Sequence, residues 1–355
     1  MLQTHETPGR NTTAGANDKQ YLFFSGFAYL GMHRDQLFLQ YLVEGLGKYG
    51  SLYPSSRIAN VQLHLYDEIE HALCGMLYQQ AAACFSSGYL ASQAAIAFAH
   101  TKGQVLYAPG THPSLQQTPI LPSSANFGDW LQTEVDKINA EPGTSYVIVA
   151  DTVSPLTATI NDFSALANVQ QKTWVLLDDS HGFGLLGENG EGIISQLPLN
   201  DHIQYLVAAS LSKAYSAEGG VVAGPAAAIA AIKRLPHFSA STPMMPANAY
   251  AFLQAMPLYN QARKRLRENC AAFAAQINSL QNIRFNPLLS IFLLNDLANA
   301  TPVYDYLLEH DVLISSFSYP SPDSPKINRA VISAVHEAND LALLSRLLLQ
   351  YYQSM

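Results

Sequence analysis

The stretch TWVLLDDSHGFGLLGENGEG, residues 173–192, places two adjacent aspartates directly after a short apolar run. A short run that is apolar throughout is typical of a strand that is buried on both faces of a parallel sheet. Two carboxylates at the end of such a strand are costly to bury unless their charge is used. Asp178 and Asp179 therefore indicate a functional site at this end of the sheet, although a helix cap or a metal ligand would also account for them.

Five more apolar runs of the same kind are spread through the middle of the chain, with helical patterns between them. This alternation predicts an α/β fold with a mostly parallel sheet. In such sheets the carboxyl ends of the strands gather on one edge, where ligands bind. The polar residues that end the runs should therefore lie together. The five runs are residues 81–88, 103–109, 145–151, 204–210 and 219–224.

The stretch SLSKAYSAEGG, residues 210–220, follows one of these runs and contains a lysine among small and hydroxylic residues. The chain has only 19 Lys and Arg in 355 residues, and a surface lysine seldom has such neighbours. Lys213 should share its edge of the sheet with Asp178 and with the Ser-Ser-Gly that ends the first run. A lysine, a carboxylate and small polar groups together predict a cofactor site.

Bulk composition excludes several classes of partner. The net charge is −8 and the pI is near 5.7, which argues against nucleic acid or an anionic membrane surface as the main partner. No window of 18 consecutive apolar residues is present, so no membrane span is expected. Only 13% of the residues are charged, which suggests that a partner subunit covers part of the surface.

Three cysteines, Cys74, Cys84 and Cys270, have no metal-ligand spacing, so we expect no metal site. We expect free thiols in a reducing cytoplasm, and hence a cytoplasmic location. The sequence predicts three segments along the chain. Residues 1–20 are expected to be a flexible lead-in, residues 45–245 a large domain, and residues 21–44 with 246–355 a smaller α+β domain. The smaller domain should contain one long helix over residues 247–280.

The stretches 178–192 and 210–220, with four others in the same order, resemble the α-oxoamine synthases, which are fold-type I pyridoxal-phosphate enzymes. The family pattern is Asp-Asp/Glu-Ala-His-Gly, followed by Thr-x-x-Lys and a glycine pair. One such match alone would be weak evidence for the family, but several matches in the family's order are strong evidence. The others are FSSGYLASQAAI (85–96), THPSL (111–115), SASTPMMPANA (239–249) and NRAVISAVHEANDL (328–341).

This resemblance implies a fold and an assembly. The fold would be that of the fold-type I PLP-dependent transferases, in the aminotransferase class I/II group. Its large domain would have a mostly parallel, seven-stranded-type sheet flanked by helices, beside a smaller α+β C-terminal domain. The cofactor would be pyridoxal 5'-phosphate, and the protein would be a homodimer with a shared active site.

The resemblance also implies the catalytic residues. Lys213 would carry the cofactor as a Schiff base and, once freed, act as a general base. Asp178 would pair with the pyridine nitrogen and keep the ring cationic. His181 would lie beside the phenolic oxygen or the bound amino acid. His112 would stack on the ring, where aminotransferases of this fold usually have an aromatic side chain.

Further residues would bind the cofactor phosphate and the substrate. The backbone amides of Gly88 and Tyr89 open a helix, which suits a dianion, and Ser210 has the family hydroxyl three residues before the lysine. The segment with Ser241 and Thr242 reaches in from the other subunit in the family. The substrate-binding residues would be Arg329, whose guanidinium suits a carboxylate, and Ser56.

Two stretches depart from the family pattern. The family's glycine-rich Tyr-Gly-x-Gly-x-x-Gly-Ser-Arg reads YGSLYPSSR here, and Tyr66 stands at a histidine position. The family's Ser-Met-Asp-Gly-Asp appears as part of DTVSPLTATIND, where Ser154 is one residue out of register. The first stretch borders the acyl-donor side in the family, so coenzyme A and acyl carrier protein both stay open as the carrier.

The predicted function is that of an acyltransferase that condenses an amino acid with an acyl thioester, acyl-CoA in the first place. The product would be an α-amino ketone, with release of CO2 and free thiol, through an aldimine and a quinonoid carbanion. Two alternatives stay open. One is a PLP-dependent aminotransferase or lyase on the same fold, and the other is a non-catalytic subunit of a heterodimeric synthase.

Overall fold

The computed structural model describes residues 2–15, 18–118, 125–319 and 321–353 of the chain. These residues contain fourteen strands, β1 to β14 in chain order: Asn11–Ala14, Lys19–Phe24, Ala81–Phe85, Gln104–Tyr107, Tyr146–Asp151, Val153–Ser154, Thr159–Ile160, Thr173–Asp178, Ile203–Ser210, Gly220–Gly224, Ile283–Phe285, Ile291–Leu294, Val312–Ser318 and Lys326–Val331.

The same residues contain ten α-helices, α1 to α10 in chain order: Gln36–Tyr49, Leu65–Met76, Gly88–Ala99, Phe127–Ala140, Ala226–Ile232, Pro236–Ser239, Pro246–Gln254, Met256–Gln276, Val303–Glu309 and Ala338–Gln353. Short 3₁₀ helices connect some of them: Met32–Arg34, Pro113–Leu115, Ser164–Asn168 and Gly192–Gln196.

The chain divides into two compact units. The larger comprises residues 36–154 and 160–257, and the smaller comprises residues 1–35, 155–159 and 258–355. The predicted boundaries differ from this division, because residues 36–44 and 246–257 belong to the larger unit. Helix α1 packs closely on α7, and a Cβ atom at Gly45 would lie 2.9 Å from the Cα atom of Ala247.

The larger unit is built on a six-stranded sheet in the order β3-β10-β9-β8-β5-β4. The neighbours β4, β5, β8 and β9 are parallel, and β10 is antiparallel to both β9 and β3. Each of the six apolar runs identified in the sequence forms one of these strands. The sheet differs from the expected seven-stranded type because no seventh strand joins it within the described ranges.

The core of the larger unit lies where helix α3 covers the sheet. Its Ala and Ile side chains are fully buried against β8, β9 and β10. Small side chains let the helix approach the strands closely, and the hydroxyl of Ser87 caps its first turn by accepting from the Leu90 amide at 3.2 Å. This packing fixes the start of α3 above the carboxyl ends of the parallel strands.

The smaller unit has its own six-stranded sheet, in the order β1-β2-β13-β14-β12-β11. Residues 1–20 are not simply a flexible lead-in, because β1 pairs with β2. Arg10 forms ion pairs with Asp340 and Glu337 at 2.7 Å each. Strand β14 ends at Val331 and pairs with β13, whose pattern of apolar and polar residues did not predict a strand.

The single long helix predicted over residues 247–280 is wrong. It consists of α7 and α8, which are separated at Ala255. Pro257 is the physical reason, since proline has no backbone N–H and its ring clashes with the preceding turn.

Two of the three free cysteines are buried, Cys84 and Cys270, and Cys74 is half-buried. Among the described helices, none has the length and apolarity needed to cross a membrane.

Candidate active site

Asp178 is the last residue of β8 and is buried at the carboxyl edge of the larger unit's sheet. One of its oxygens accepts from the Ser180 amide at 2.9 Å. The other accepts from the hydroxyls of Ser114 at 3.3 Å and Ser92 at 3.4 Å. These three donors are neutral, so they orient the carboxylate without neutralising its charge. The carboxylate is therefore suited to a cationic group of a ligand.

Lys213 lies in the turn between β9 and β10 and is half-buried. Its Nζ atom is 2.9 Å from Nε2 of His181, which lies in the loop that follows Asp178. The structure thus brings together two residues that are 32 positions apart in the sequence. An amine beside an imidazole can exchange a proton with it, which is a useful property for acid–base chemistry.

His112 lies at the N-cap of the short helix Pro113–Leu115. Its Nδ1 atom accepts from the Ser114 amide at 3.2 Å, which leaves the ring proton on Nε2 in the neutral form. Burial lowers the pKa of His112, the charge of Lys213 lowers it further, and the charge of Asp178 opposes both. The ring is therefore neutral near pH 7, and both Asp178 and Lys213 act on it electrostatically.

Gly88 and Ser210 form a close contact between the start of α3 and the end of β9. A Cβ atom at Gly88 would lie 2.6 Å from Cβ and 2.8 Å from Cα of Ser210, so only glycine fits. The hydroxyl groups of Ser210 and Ser212 are 2.8 Å apart in the same turn. First-turn amides of a twelve-residue helix beside these hydroxyls offer donors that suit a phosphate. Tyr89 follows Gly88, and its side chain is exposed.

Asp179 is completely buried, and we assign it no ligand. It accepts hydrogen bonds from the Thr152 hydroxyl and, at 2.9 Å, from the Ile193 amide. Burial raises its pKa to about 7. Gly192 has a φ of +81°, and a Cβ atom there would overlap a carboxylate oxygen of Asp179. Asp179 therefore fixes the glycine-rich loop that follows Asp178.

Ser56, Ser241 and Thr242 lie in two loops of the larger unit that contact each other. The hydroxyl of Ser56 donates to the carbonyl of Ser239 at 2.7 Å. The hydroxyl of Ser241 donates to the carbonyl of His237 at 2.6 Å, and Thr242 is exposed. Both hydrogen bonds end on helix α6 and do not reach Lys213 or Asp178. Ser154 forms part of β6 and is half-buried.

Arg329 lies on β14 of the smaller unit, opposite Ser315 of β13. Its guanidinium is 5.4 Å from the centre of the Phe317 ring, and within the described ranges its buried Nε atom has no hydrogen-bond partner. Burial lowers the pKa of Arg329, and Tyr29 opposes this change. A buried guanidinium with an unused donor is suited to a carboxylate ligand.

Several residues around Asp178 and His112 were not selected from the sequence. They are Ser92, Ser114, Ser180 and Ser212. All four lie in stretches that match the family pattern, but the pattern does not mark them as site residues, since a hydroxyl that orients a carboxylate can come from any nearby element. Asp151 was noted only as the end of an apolar run.

The residues on this edge fit pyridoxal 5'-phosphate. The tight contact at Gly88 and the hydroxyls beside it would hold the phosphate. Asp178 would hold the ring nitrogen, and Lys213 would hold the aldehyde carbon. The neutral ring of His112 would cover one face of the pyridine.

The sequence of the chain matches known proteins over most of its length. Residues 56–347 match the family described as Aminotransferase class I and II. An 8-amino-7-oxononanoate synthase of Pseudomonas syringae pv. syringae is 30% identical over 302 residues, which are 81% of this chain and 76% of that protein. The 8-amino-7-oxononanoate synthase of Fervidobacterium nodosum is 25% identical over 360 residues, 96% of this chain and 90% of that protein.

Solved structures share the fold at lower sequence identity. The serine palmitoyltransferase of Sphingomonas wittichii superposes with a TM-score of 0.83 at 17% identity, over 99% of this chain and 92% of that chain. The 8-amino-7-oxononanoate synthase of Francisella tularensis gives 0.72 at 22% identity, over 94% and 99%. The chain belongs to the aminotransferase class I and II family and, within it, to the α-oxoamine synthases, which are pyridoxal-phosphate-dependent transferases.

Proposed function

We propose that this enzyme condenses an amino acid with an acyl thioester to give an α-amino ketone, with release of CO2 and free thiol. The observation that carries the proposal is the 2.9 Å contact between Lys213 and His181 on the edge that also presents Asp178 and His112. A histidine over the ring position separates this site from a plain aminotransferase site, where an aromatic side chain is usual. The 8-amino-7-oxononanoate synthase relatives support the same chemistry.

Bound pyridoxal phosphate supplies an electron sink for a carbanion at the α-carbon of the amino acid. Asp178 supports this chemistry because its neutral hydrogen-bond partners leave its charge available to the ring nitrogen. A buried carboxylate in this position favours the protonated nitrogen. The need for a negative charge beside the ring nitrogen explains why an acid is buried at the end of β8, although its burial costs free energy.

Lys213 is proposed as the base that moves the proton at the substrate α-carbon. Its Nζ atom must be neutral to accept a proton, and His181 lies within hydrogen-bond distance of it. His181 therefore orients the amine and can accept a proton from it. His112 excludes water from one face of the ring and, being neutral, adds no positive charge there.

Arg329 is proposed to bind the carboxylate of the amino acid, because its buried Nε donor has no protein partner within the described ranges. Ser56 is also proposed to contact the substrate.

The carrier of the acyl group is proposed to be coenzyme A, with acyl carrier protein as the alternative donor. A cytoplasmic location is proposed from the free thiols.

A homodimer is proposed because helix α1 presents an apolar stripe to solvent. Leu39, Val43 and Leu46 are spaced along one face of α1 and are 39%, 66% and 38% exposed. Apolar residues in the next loop add to this surface, namely Leu52, Ile58 and Val61. Exposed apolar patches of this kind mark subunit contacts. In the proposed dimer, Ser241 and Thr242 reach the partner's cofactor.

The test is to incubate the purified enzyme with amino acids and acyl-CoA thioesters and to measure free thiol and the α-amino ketone. We expect thiol release that requires both substrates, and exchange of an α-deuterium of the amino acid. An aminotransferase would instead consume a 2-oxo acid and release no thiol. A non-catalytic subunit would show neither reaction. Either outcome would contradict the proposal.

A further inference from the structure

Asp151 lies beside Asp178 at the carboxyl edge of the larger unit's sheet. Asp151 ends β5 and Asp178 ends β8, and the two residues are partners in the register of these parallel strands. Neighbouring residues in register on adjacent strands have side chains on the same face of a sheet. The two carboxyl groups therefore point to the same side, toward the residues proposed to hold the cofactor.

The carboxyl group of Asp151 forms a hydrogen bond with the turn that contains His112. Its Oδ2 atom accepts from the His112 backbone amide at 2.8 Å. At the other end of the same turn, the Ser114 hydroxyl lies 2.8 Å from Nδ1 of His112 and 3.3 Å from an oxygen of Asp178. Asp151 thus holds the backbone of His112, while the Ser114 hydroxyl lies between the His112 ring and Asp178.

The surroundings of the Asp151 carboxyl group make it harder to ionise than an ordinary aspartate. Burial raises the pKa of Asp151 well above its usual value, and the negative charge of Asp178 raises it further. The hydrogen bond from His112 and the charge of Lys213 oppose this shift without cancelling it. Burial and the nearby carboxyl group of Asp178 thus both favour the protonated form of Asp151.

We propose that Asp151 is a positioning residue, which holds His112 over the cofactor ring by accepting a hydrogen bond from its backbone amide and acts only through His112. The inference rests on the proposed placement of the cofactor in this site. It explains why a second acid is present where only one negative charge is needed. It also predicts that the oxygen atom of residue 151 matters and that its ability to ionise does not.

The test compares Asp151→Asn with Asp151→Ala. Asparagine keeps an oxygen that can accept from the His112 amide and has no charge, whereas alanine keeps neither. We titrate each apoenzyme with pyridoxal phosphate, measure the dissociation constant, and record the visible circular dichroism of the bound cofactor. We expect Asp151→Asn to stay within about 3-fold of the original affinity, and Asp151→Ala to weaken it by about 10-fold or more with a changed dichroic band.

A double-mutant cycle with His112→Ala separates positioning from a general loss of structure. If Asp151 acts through His112, Asp151→Ala should have little further effect on cofactor affinity or dichroism once His112 is alanine. Additive losses would overturn the proposal, and so would an Asp151→Asn variant as impaired as Asp151→Ala.

Asn161→Ala is the matched control, because Asn161 donates to the Asp151 backbone carbonyl at 2.8 Å and not to its carboxyl group. This variant should keep the dichroic band, and a change as large as that of Asp151→Ala would also overturn the proposal. These readouts need no acyl transfer. Failure of the proposed condensation would therefore leave the cofactor affinities and spectra able to test Asp151 separately.

Discussion

Asp179 holds the glycine-rich loop beside the candidate site from a fully buried position. Its carboxyl group accepts from Thr152 and Ile193 and fills the space where the glycine-rich loop turns. The sequence pointed to the acid pair and singled out Asp178 for the cofactor. It could not show that Asp179 faces the loop, because adjacent residues of a strand differ only in the face on which they lie.

Asp179 predicts a pH dependence of stability. Its pKa is raised from 3.8 to about 7 in the folded protein, so the folded state holds a proton that the unfolded state releases at lower pH. The free energy of unfolding should therefore fall as pH rises from about 4 to about 7, by up to about 4 kcal/mol from this group. Asp151 acts in the same direction.

Asp179→Asn should flatten this profile in urea unfolding of the apoenzyme between about pH 5 and pH 7.5. The asparagine oxygen can accept from the Ile193 amide, and its NH2 group can donate to the Thr152 hydroxyl. The original enzyme provides the control at each pH. An unchanged slope in the variant would show that Asp179 does not titrate in this range.

The proposed cofactor residues could be selected from the sequence, and the residues that support them could not. Lys213, Asp178, His181 and His112 stand in stretches that match the family pattern, and the structure places them along one edge. Asp151 supports His112 from 39 residues away in sequence. Such a contact depends on strand order and register, which no local pattern contains.

At the scale of elements, the start of helix α3 depends on the absence of one side chain. Gly88 lies so close to Ser210 that Gly88→Ala would force α3 away from β9. We expect this change to lower the free energy of unfolding by about 1–3 kcal/mol and to weaken cofactor binding by more than 10-fold. Thermal unfolding and cofactor titration measure the two effects.

Gly75→Ala is the matched control for this prediction. Gly75 lies in helix α2, and a Cβ atom there would meet nothing within 4 Å. This change should be neutral or stabilise the protein by about 0.5–1 kcal/mol, since alanine favours helix. If Gly88→Ala and Gly75→Ala have the same effect on stability, the close approach of α3 to β9 does not require glycine at position 88.

The elements of the sheet were more predictable than those of the smaller unit. A strand that is buried on both faces reads as an apolar run, and each strand of the six-stranded sheet corresponds to one of the six predicted runs. The strands β1 and β13 carry half-buried polar residues, and β2 begins with two exposed polar residues, so their pattern is weak. The break between α7 and α8 could have been predicted from Pro257, because proline interrupts helical hydrogen bonds.

At the scale of the whole molecule, the apolar stripe of α1 predicts a dimer. Val43→Glu places a charge in the middle of the stripe and should shift the enzyme toward monomer, with loss of activity if Ser241 and Thr242 serve the partner's site. Sedimentation velocity over a range of concentrations measures the change. Leu199→Glu is the control, because Leu199 is fully exposed and lies outside the stripe. A Val43→Glu variant that remains dimeric would contradict this interface.

Lys213, on the edge shared with Asp178, is proposed to carry pyridoxal phosphate. Reduction of the holoenzyme with borohydride, digestion, and location of the phosphopyridoxyl group by mass spectrometry test this proposal most directly. We expect one labelled site, Lys213, and no stable label in Lys213→Ala. Label on any other lysine in the original enzyme, or equal label in Lys213→Ala, would contradict it.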